Sequence, residues 1–349
     1  MAKRIRFLAL IISIVSLFML SNCDAVDAIK GTDEPDDLQK IQTLHPVLLN
    51  GKWGYITNNG EMSVAPQFDE AKDFKGGFAA VRKDTEWGYI SETDGSLTIP
   101  IQFSVAGDFS NGLALAQLPN QLYGFIDSTG NFAIEAQFEF AGSFNENLAA
   151  VRSDGLWGYV STDGNVAINL EFSQAKAFSN GYAAVDTFEG WVYIDNTGAV
   201  AINTGFQVAD AGNFAQGLAP LQTNDGWGYI DENGIPVINP KFTQAGSFSE
   251  GLAWVMDDEY FGYIDQSGET VIPYQFAEVK AFNEDFAAVR ISRDWYYIHA
   301  ETGTIAFNQP FDAAESFRNG IARVRIGDDE NARYGYINTE GEYIWYPTR

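Results

Sequence analysis

One short word recurs along this chain at nearly fixed spacing, and it limits the fold more than any other feature. An aromatic residue followed by Gly-Tyr-Ile, with single substitutions, stands at Trp53, Trp87, Tyr123, Trp157, Trp191, Trp227, Phe261, Trp295 and Tyr334. The intervals are 34, 36, 34, 34, 36, 34, 34 and 39 residues. Self-similarity at such a period marks an array of one supersecondary unit, whose neighbours bury what a single unit cannot.

The unit reads as three short strands. Taken from Trp157, it runs Trp157-Gly158-Tyr159-Val160, a turn Ser161 to Gly164, then Val166-Ala167-Ile168. Phe172, Ala175 and Phe178 follow at a spacing of three, and Gly181-Tyr182-Ala183-Ala184-Val185 leads to the next tryptophan. The Gly-Leu-Ala-x-Val, Trp-Gly-Tyr-Ile and Val-x-Ile segments are rich in aromatic and β-branched residues and bounded by turn signals, which predicts strands one, two and three. The Phe-x-x-Ala-x-x-Phe segment accepts an insertion in one unit, which predicts a helical turn or irregular connector rather than a ladder strand.

Two turns punctuate each unit. Between strands two and three the pattern is Asp-x-x-Gly, as at Asp127 to Gly130 and Asp265 to Gly268. Asp bonds the backbone two residues on and Gly supplies positive φ, which predicts a type I turn closed by a left-handed residue. Before strand one the pattern is Phe-x-x-Gly, with Asn147 and Asp285 standing in for the glycine. Asn and Asp are the residues that tolerate left-handed φ best, so the requirement is one of backbone shape. Length changes fall in predicted loops, including the tip Ile326 to Arg333 and a stretch between Phe206 and Phe214.

These features resemble the WG-repeat (KWG-repeat) family of β repeats. Lys52-Trp53-Gly54-Tyr55-Ile56 carries its signature, and the resemblance covers about residues 45–346. Val192 and Tyr296 replace the glycine after the tryptophan, so that glycine reads as helpful rather than obligatory. The resemblance implies a fold and an interaction role, and no reaction. The expected fold is all-β, with tandem three-stranded antiparallel meanders. They can stack as an open superhelical array or close as a propeller-like ring. Propeller blades usually have four strands and number four to eight. Nine short units in unpermuted order favour the open array.

Ahead of the repeats, Lys3, Arg4 and Arg6 precede an apolar run from Phe7 to Leu20, too short to span a membrane and suited to a signal peptide. Leu20-Ser21-Asn22-Cys23 resembles a bacterial lipobox, with Asn22 departing from the usual small residue. The resemblance implies cleavage after residue 22 and lipid attachment at Cys23. Asp24 resembles the inner-membrane retention signal of enterobacterial lipoproteins. Residues 23–44, with Asp33-Glu34-Pro35-Asp36-Asp37 at their centre, read as an acidic tether reaching about 25 Å. The repeats then occupy 45–349. Cys23 is the only cysteine, so no intramolecular disulfide supports the fold.

Without residues 1–22 the chain holds 18 basic and 47 acidic residues, a net charge of −29. Nucleic-acid affinity rests on Lys and Arg neutralising phosphates, so this balance argues against it. The recurrent acids sit at turn positions, which accounts for them without catalysis. His45 and His299 are far apart in sequence, and His299 falls where Asp or Ser stands in other turns. No Gly-x-Ser-x-Gly or phosphate loop appears, and no cofactor or zinc site is expected. The acidic tips Asp257-Asp258-Glu259 and Asp328-Asp329-Glu330 have oxygen ligands of the kind calcium takes, without EF-hand spacing; they read as solvated tips.

The anchor tryptophans, locked to one repeat position, read as core. Trp254 lies in a first strand where alanine is usual, and is the candidate contact residue. The expected function is non-enzymatic: an envelope-associated binding or scaffold lipoprotein, with a protein or glycan partner. The tips between strands one and two, at Arg82–Glu86, Ala116–Leu122, Met256–Tyr260 and Ile326–Arg333, are the expected contact sites. The alternative is carbohydrate or peptidoglycan recognition through exposed aromatics.

Overall fold

The computed structural model describes residues 43–328 and 330–348. Cys23, the signal peptide and most of the tether lie outside the described residues, as does Asp329 of one acidic tip. Within them the chain is all-β, without a helix, and forms nine small antiparallel sheets. Each sheet is a blade built from consecutive strands. Blade 1 spans Leu44–Phe68, blade 2 Glu70–Phe103, blade 3 Val105–Phe138, blade 4 Phe140–Phe172 and blade 5 Gln174–Ile202. Blades 6 to 9 begin at Asp210, Gln244, Glu278 and Ala313.

The three-stranded unit needs a correction. Seven of the nine sheets have four strands. The Phe-x-x-Ala connector supplies the extra one, usually two residues long, and it forms no helical turn. In blade 4, Phe140 pairs Arg152 and Ala141 pairs Val151, ahead of strands Leu148–Ser153, Leu156–Ser161 and Val166–Phe172. A strand of two residues is too short to leave an alternating pattern.

The open array is also corrected: the blades close into a ring. An open array of nine blades has eight junctions, whereas there are nine core clusters, one for each junction of a ring. The ninth joins Val47 and Ile56 of blade 1 to Ile321 and Tyr336 of blade 9. The Tyr336 hydroxyl donates to the Pro46 carbonyl at 2.8 Å, and Thr348 Oγ1 donates to the Leu48 carbonyl at 2.6 Å. The Trp53 and Tyr334 rings meet at 5.8 Å. The Arg323 guanidinium lies over the Trp53 ring and pairs with Glu315 at 2.5 Å. Closure is by packing of whole blades, so an unpermuted strand order is compatible with it.

The tyrosine of the repeated word bonds across eight of the nine junctions; blade 3 has Phe125 there. Tyr159 donates across to the carbonyl of Lys176 at 2.7 Å, Tyr193 to Gly212 at 2.8 Å, Tyr229 to Gly246 at 2.7 Å and Tyr263 to Lys280 at 2.8 Å. Burial pushes these phenols well above their ordinary pKa, so they stay protonated donors. The tyrosines are fully buried, while most anchor tryptophans are half-buried and pack against the margin of a cluster. The core expectation thus fits the tyrosine better than the tryptophan.

Both turns form as expected. Asp127 accepts from the N–H groups of Thr129 and Asn131, and Gly130 has φ of 85°. The Phe-x-x-Gly turn has left-handed φ at its last two positions, at 67° for Asn147 and Asp285. The residue before them is left-handed too, at 51° for Glu146 and 54° for Glu284, which makes a two-residue primed hairpin. Glu at such φ is strained. These carboxylates gain bonds across the junction. Glu250 accepts from the N–H groups of Glu284 and Asp285 at 2.6 and 3.0 Å, and Glu284 from those of Asn319 and Gly320 at 2.6 and 2.8 Å. Successive turn N–H groups form a concave anion cradle, here filled by the preceding blade.

Candidate partner-binding surface

Equivalent loops of a ring of like blades share one face. The tips between the first and second long strands therefore lie together at one end of the molecule. The four predicted contact tips are all on this face. Leu122 is 46% exposed and Tyr260 50% exposed there, and Phe188, on the blade 5 tip, is 68% exposed. Asp84, Asp154 and Asp258 accompany them, each at left-handed φ of 51–53° in the tight tip turns. The face therefore offers isolated apolar side chains among carboxylates.

Trp254 is half-buried. Its indole packs on Gly246, just after the two-residue strand Gln244–Ala245, and meets the Phe261 ring at 5.7 Å. The large residues at this position face a glycine in three blades, although Gly142 faces Ala150 in blade 4 and Glu315 faces Arg323 in blade 9. Gly107, Gly212 and Gly246 stand opposite Leu115, Pro220 and Trp254, whereas Lys72, Lys176 and Lys280 stand opposite Ala80, Ala184 and Ala288. These lysines, three blades apart, lie over Trp87, Trp191 and Trp295 at 5.0–5.8 Å. Trp254 thus packs against the blade 7 anchor ring, as lysines lie over the anchors of blades 2, 5 and 8.

The histidines are not brought together. His45 is 7% exposed and its Nε2 bonds Asn58 Oδ1 at 2.8 Å; burial lowers its pKa. His299 closes a turn through its N–H to Thr304 and packs on Phe286. Among the described residues no group of three His, Cys, Asp or Glu is placed to hold a metal ion.

Blade 5 departs from the other blades in the pairing of its anchor. In each of the other eight blades the anchor aromatic pairs with the far end of the last strand, as Trp157 does with Phe172 and Trp227 with Phe242. In blade 5 that strand stops after Val200–Ile202, and among the described residues none of its ladder pairs reaches Trp191, which pairs only with Asp186 on the other side. The chain leaves as the loop 203–207 and rejoins the pattern at Ala209, whose N–H donates to Gln222 as Ser173 does to Asp186. The two extra residues of this unit therefore fall before Val208, upstream of most of the interval the spacing suggested. Val208 occupies the place of Phe172 or Phe242. A cleft of about 590 Å³ results, lined by Glu189, Trp191, Val192, Asn203, Phe206 and Gln207 among others.

The glycine after the anchor explains the break. At Gly158 an added Cβ would lie 2.6 Å from the carbonyls of Ile168 and Asn169, and at Gly228 it would lie 2.5 Å from that of Ile238. The last strand bulges onto this glycine between its two paired positions. Val192 and Tyr296 fill the space, and blades 5 and 8 are the two without a regular last strand. Blade 8 still closes at Trp295, which exchanges bonds with Phe311 at 2.7 and 3.0 Å. The glycine is thus required for the continuous strand, and the sequence held the signal in Val192, Val208 and the longer interval.

Comparisons with known proteins agree with this architecture. The sequence profile described as "WG containing repeat" matches residues 53–84, 87–120, 123–157, 157–186, 227–260, 261–294 and 310–328. The stretch 187–226, which holds the cleft, falls outside every match. No curated protein matches the sequence. Among solved structures, a eukaryotic initiation factor superposes with a TM-score of 0.65 at 11% identity, covering 88% of this chain and 97% of its own. The computationally designed Ika8 protein gives 0.51 at 11% identity, covering 87% and 99%. These likenesses concern the fold alone. The repeat profile spans more than half of the sequence, and the chain belongs to the family of WG-containing repeat proteins.

Proposed function

We propose that this protein is a non-enzymatic interaction scaffold at the bacterial cell envelope, lipidated on Cys23 after removal of residues 1–22. The observation that carries the reading is the tip face. Leu122, Phe188 and Tyr260 are exposed at the ends of otherwise stitched blades, and acids flank the last two, at Asp186 and Glu189 and at Asp257-Asp258-Glu259. Exposed aromatics in a charged rim suit docking of a protein surface with basic and apolar groups. The junction tyrosines and turn glycines serve the ring, which leaves the tips free to vary. The lipid anchor is supported by the position of Cys23 behind the apolar run, and it is the only membrane contact in the proposal. Trp254, packed against Phe261, gives no support to a sugar platform.

The test is site-specific photocrosslinking in cells. A crosslinker at Leu122 or Tyr260 should give a discrete protein adduct, and one at Val166 or Val271 on the blade edges should not. Adducts from edges alone would contradict the tip face. Palmitate labelling should vanish in Cys23→Ser; persistence of the label would remove the anchor.

A further inference from the structure

We propose that the blade 5 cleft binds an extended peptide segment of a partner protein, which adds as a strand beside Trp191. In the other blades the backbone N–H and C=O of the anchor residue face the last strand, as the bonds between Trp295 and Phe311 illustrate. Trp191 pairs with Asp186 on one side; on the other its groups face the cleft, and among the described residues no pair of the last strand reaches it. An unpaired strand segment beside a cavity is a template for strand addition: main-chain bonds give affinity and a side-chain pocket gives selectivity. The pocket is present because Val208 replaces a phenylalanine that is 2–5% exposed at the equivalent place in blades 4 and 6. Its volume of about 590 Å³ lies in the ordinary range for binding pockets. Phe206, 39% exposed on the departing loop, forms a wall that can close over an incoming side chain.

The cleft also states what the peptide is. The side chain entering it replaces a phenylalanine, so it is aromatic or large and aliphatic. The lining has one charged group, Glu189, and no cation. The nearby Lys176 is paired with Asp210 at 2.7 Å. With the mature chain at −29, flanking lysine or arginine is favoured. The peptide should be free of proline at the pairing position, since it must donate an N–H. The cleft shares Thr187, Glu189 and Asn224 with the blade 5 and 6 tips, so the cleft and the tip face are separated by their probes. Crosslinkers at Leu122 and Tyr260, on other blades, read the tip face, and the peptide with its N-methylated form reads the cleft.

The probe is a blocked synthetic peptide, Lys-Lys-Ile-Asn-Leu-Glu-Phe-Lys, which carries the blade 4 sequence Ile168 to Phe172 between lysines. Its binding to the full chain is measured by fluorescence anisotropy, beside the same peptide N-methylated at the phenylalanine. Saturable binding is expected, with about tenfold or greater loss on N-methylation. A comparable loss is expected in Val208→Phe and in Val192→Gly, which fill the pocket and restore the bulge site. No binding, or equal binding of the N-methylated peptide, overturns the proposal, and neither result depends on a variant folding. Binding of a chitooligosaccharide that the peptide fails to displace would also overturn it, in favour of a sugar site.

Discussion

Tyr336→Ala is expected to destabilise the ring as much as Tyr159→Ala does, by about 3–5 kcal/mol each. Tyr336 is 4% exposed, and its hydroxyl reaches blade 1 at Pro46; Tyr159 is fully buried and reaches blade 5 at Lys176. Each substitution removes a buried ring from a junction and leaves a carbonyl without its donor. The comparison is informative because the two residues hold the same place in the repeat at different junctions. In a ring the last-to-first junction equals any other. In an open array Tyr336 would have no following blade, and its truncation would cost far less. Chemical denaturation of both variants, with the midpoint and slope compared, decides between them. The conservative change Tyr159→Phe should cost less, since Phe125 stands at this position in blade 3 with 0% exposure and no such bond.

Gly228→Val is expected to convert blade 6 into a blade of the irregular kind. The added Cβ would fall 2.5 Å from the Ile238 carbonyl and 2.6 Å from the Pro240 nitrogen, both backbone atoms that cannot rotate away. The strand Pro236–Phe242 must then lift off, at a cost of about 1–3 kcal/mol. Amide exchange should accelerate from Val237 to Phe242 and stay slow in the strand Leu218–Thr223 on the other side of the hairpin. Uniform protection across blade 6 in the variant would contradict the role assigned to this glycine.

The parts of the fold legible in the sequence are those with local chemistry. The strand words, the Asp-x-x-Gly turn and the substitution of Asn147 and Asp285 for glycine all report φ requirements that a residue type states directly. Closure was not legible in this way. The clue looked for was a permuted strand, whereas Tyr336 closes the ring by bonding a main-chain carbonyl, and a carbonyl has no sequence signature. The fourth strand escaped because two residues show no alternation. Trp254 read as exposed because its partner is an absence of side chain at Gly246. The cleft was written in two substitutions, Val192 and Val208, and a two-residue insertion, but Val192 read as tolerance until the close approach of the last strand gave that position a steric meaning.

The pattern of half-buried anchors and fully buried tyrosines also bears on stability. Eight of the nine junctions combine one phenolic bond with aliphatic and aromatic packing, and the one between blades 3 and 4 rests on packing around Phe125. Nearest-neighbour junctions of similar strength give a repeat protein its cooperativity, and closure removes the frayed ends that an open stack would have.

The central claim is closure, and a distance between the first and last blades tests it most directly. Asn58 Nδ2 lies 3.3 Å from the carbonyl oxygen of Asn319 across the ninth junction. Spin labels placed at positions 58 and 319, in a chain with Cys23→Ser, report that separation by pulsed electron–electron resonance. A closed ring predicts one narrow, short distance that is independent of protein concentration. A long or broad distribution in folded, monomeric protein would contradict it and restore the open array.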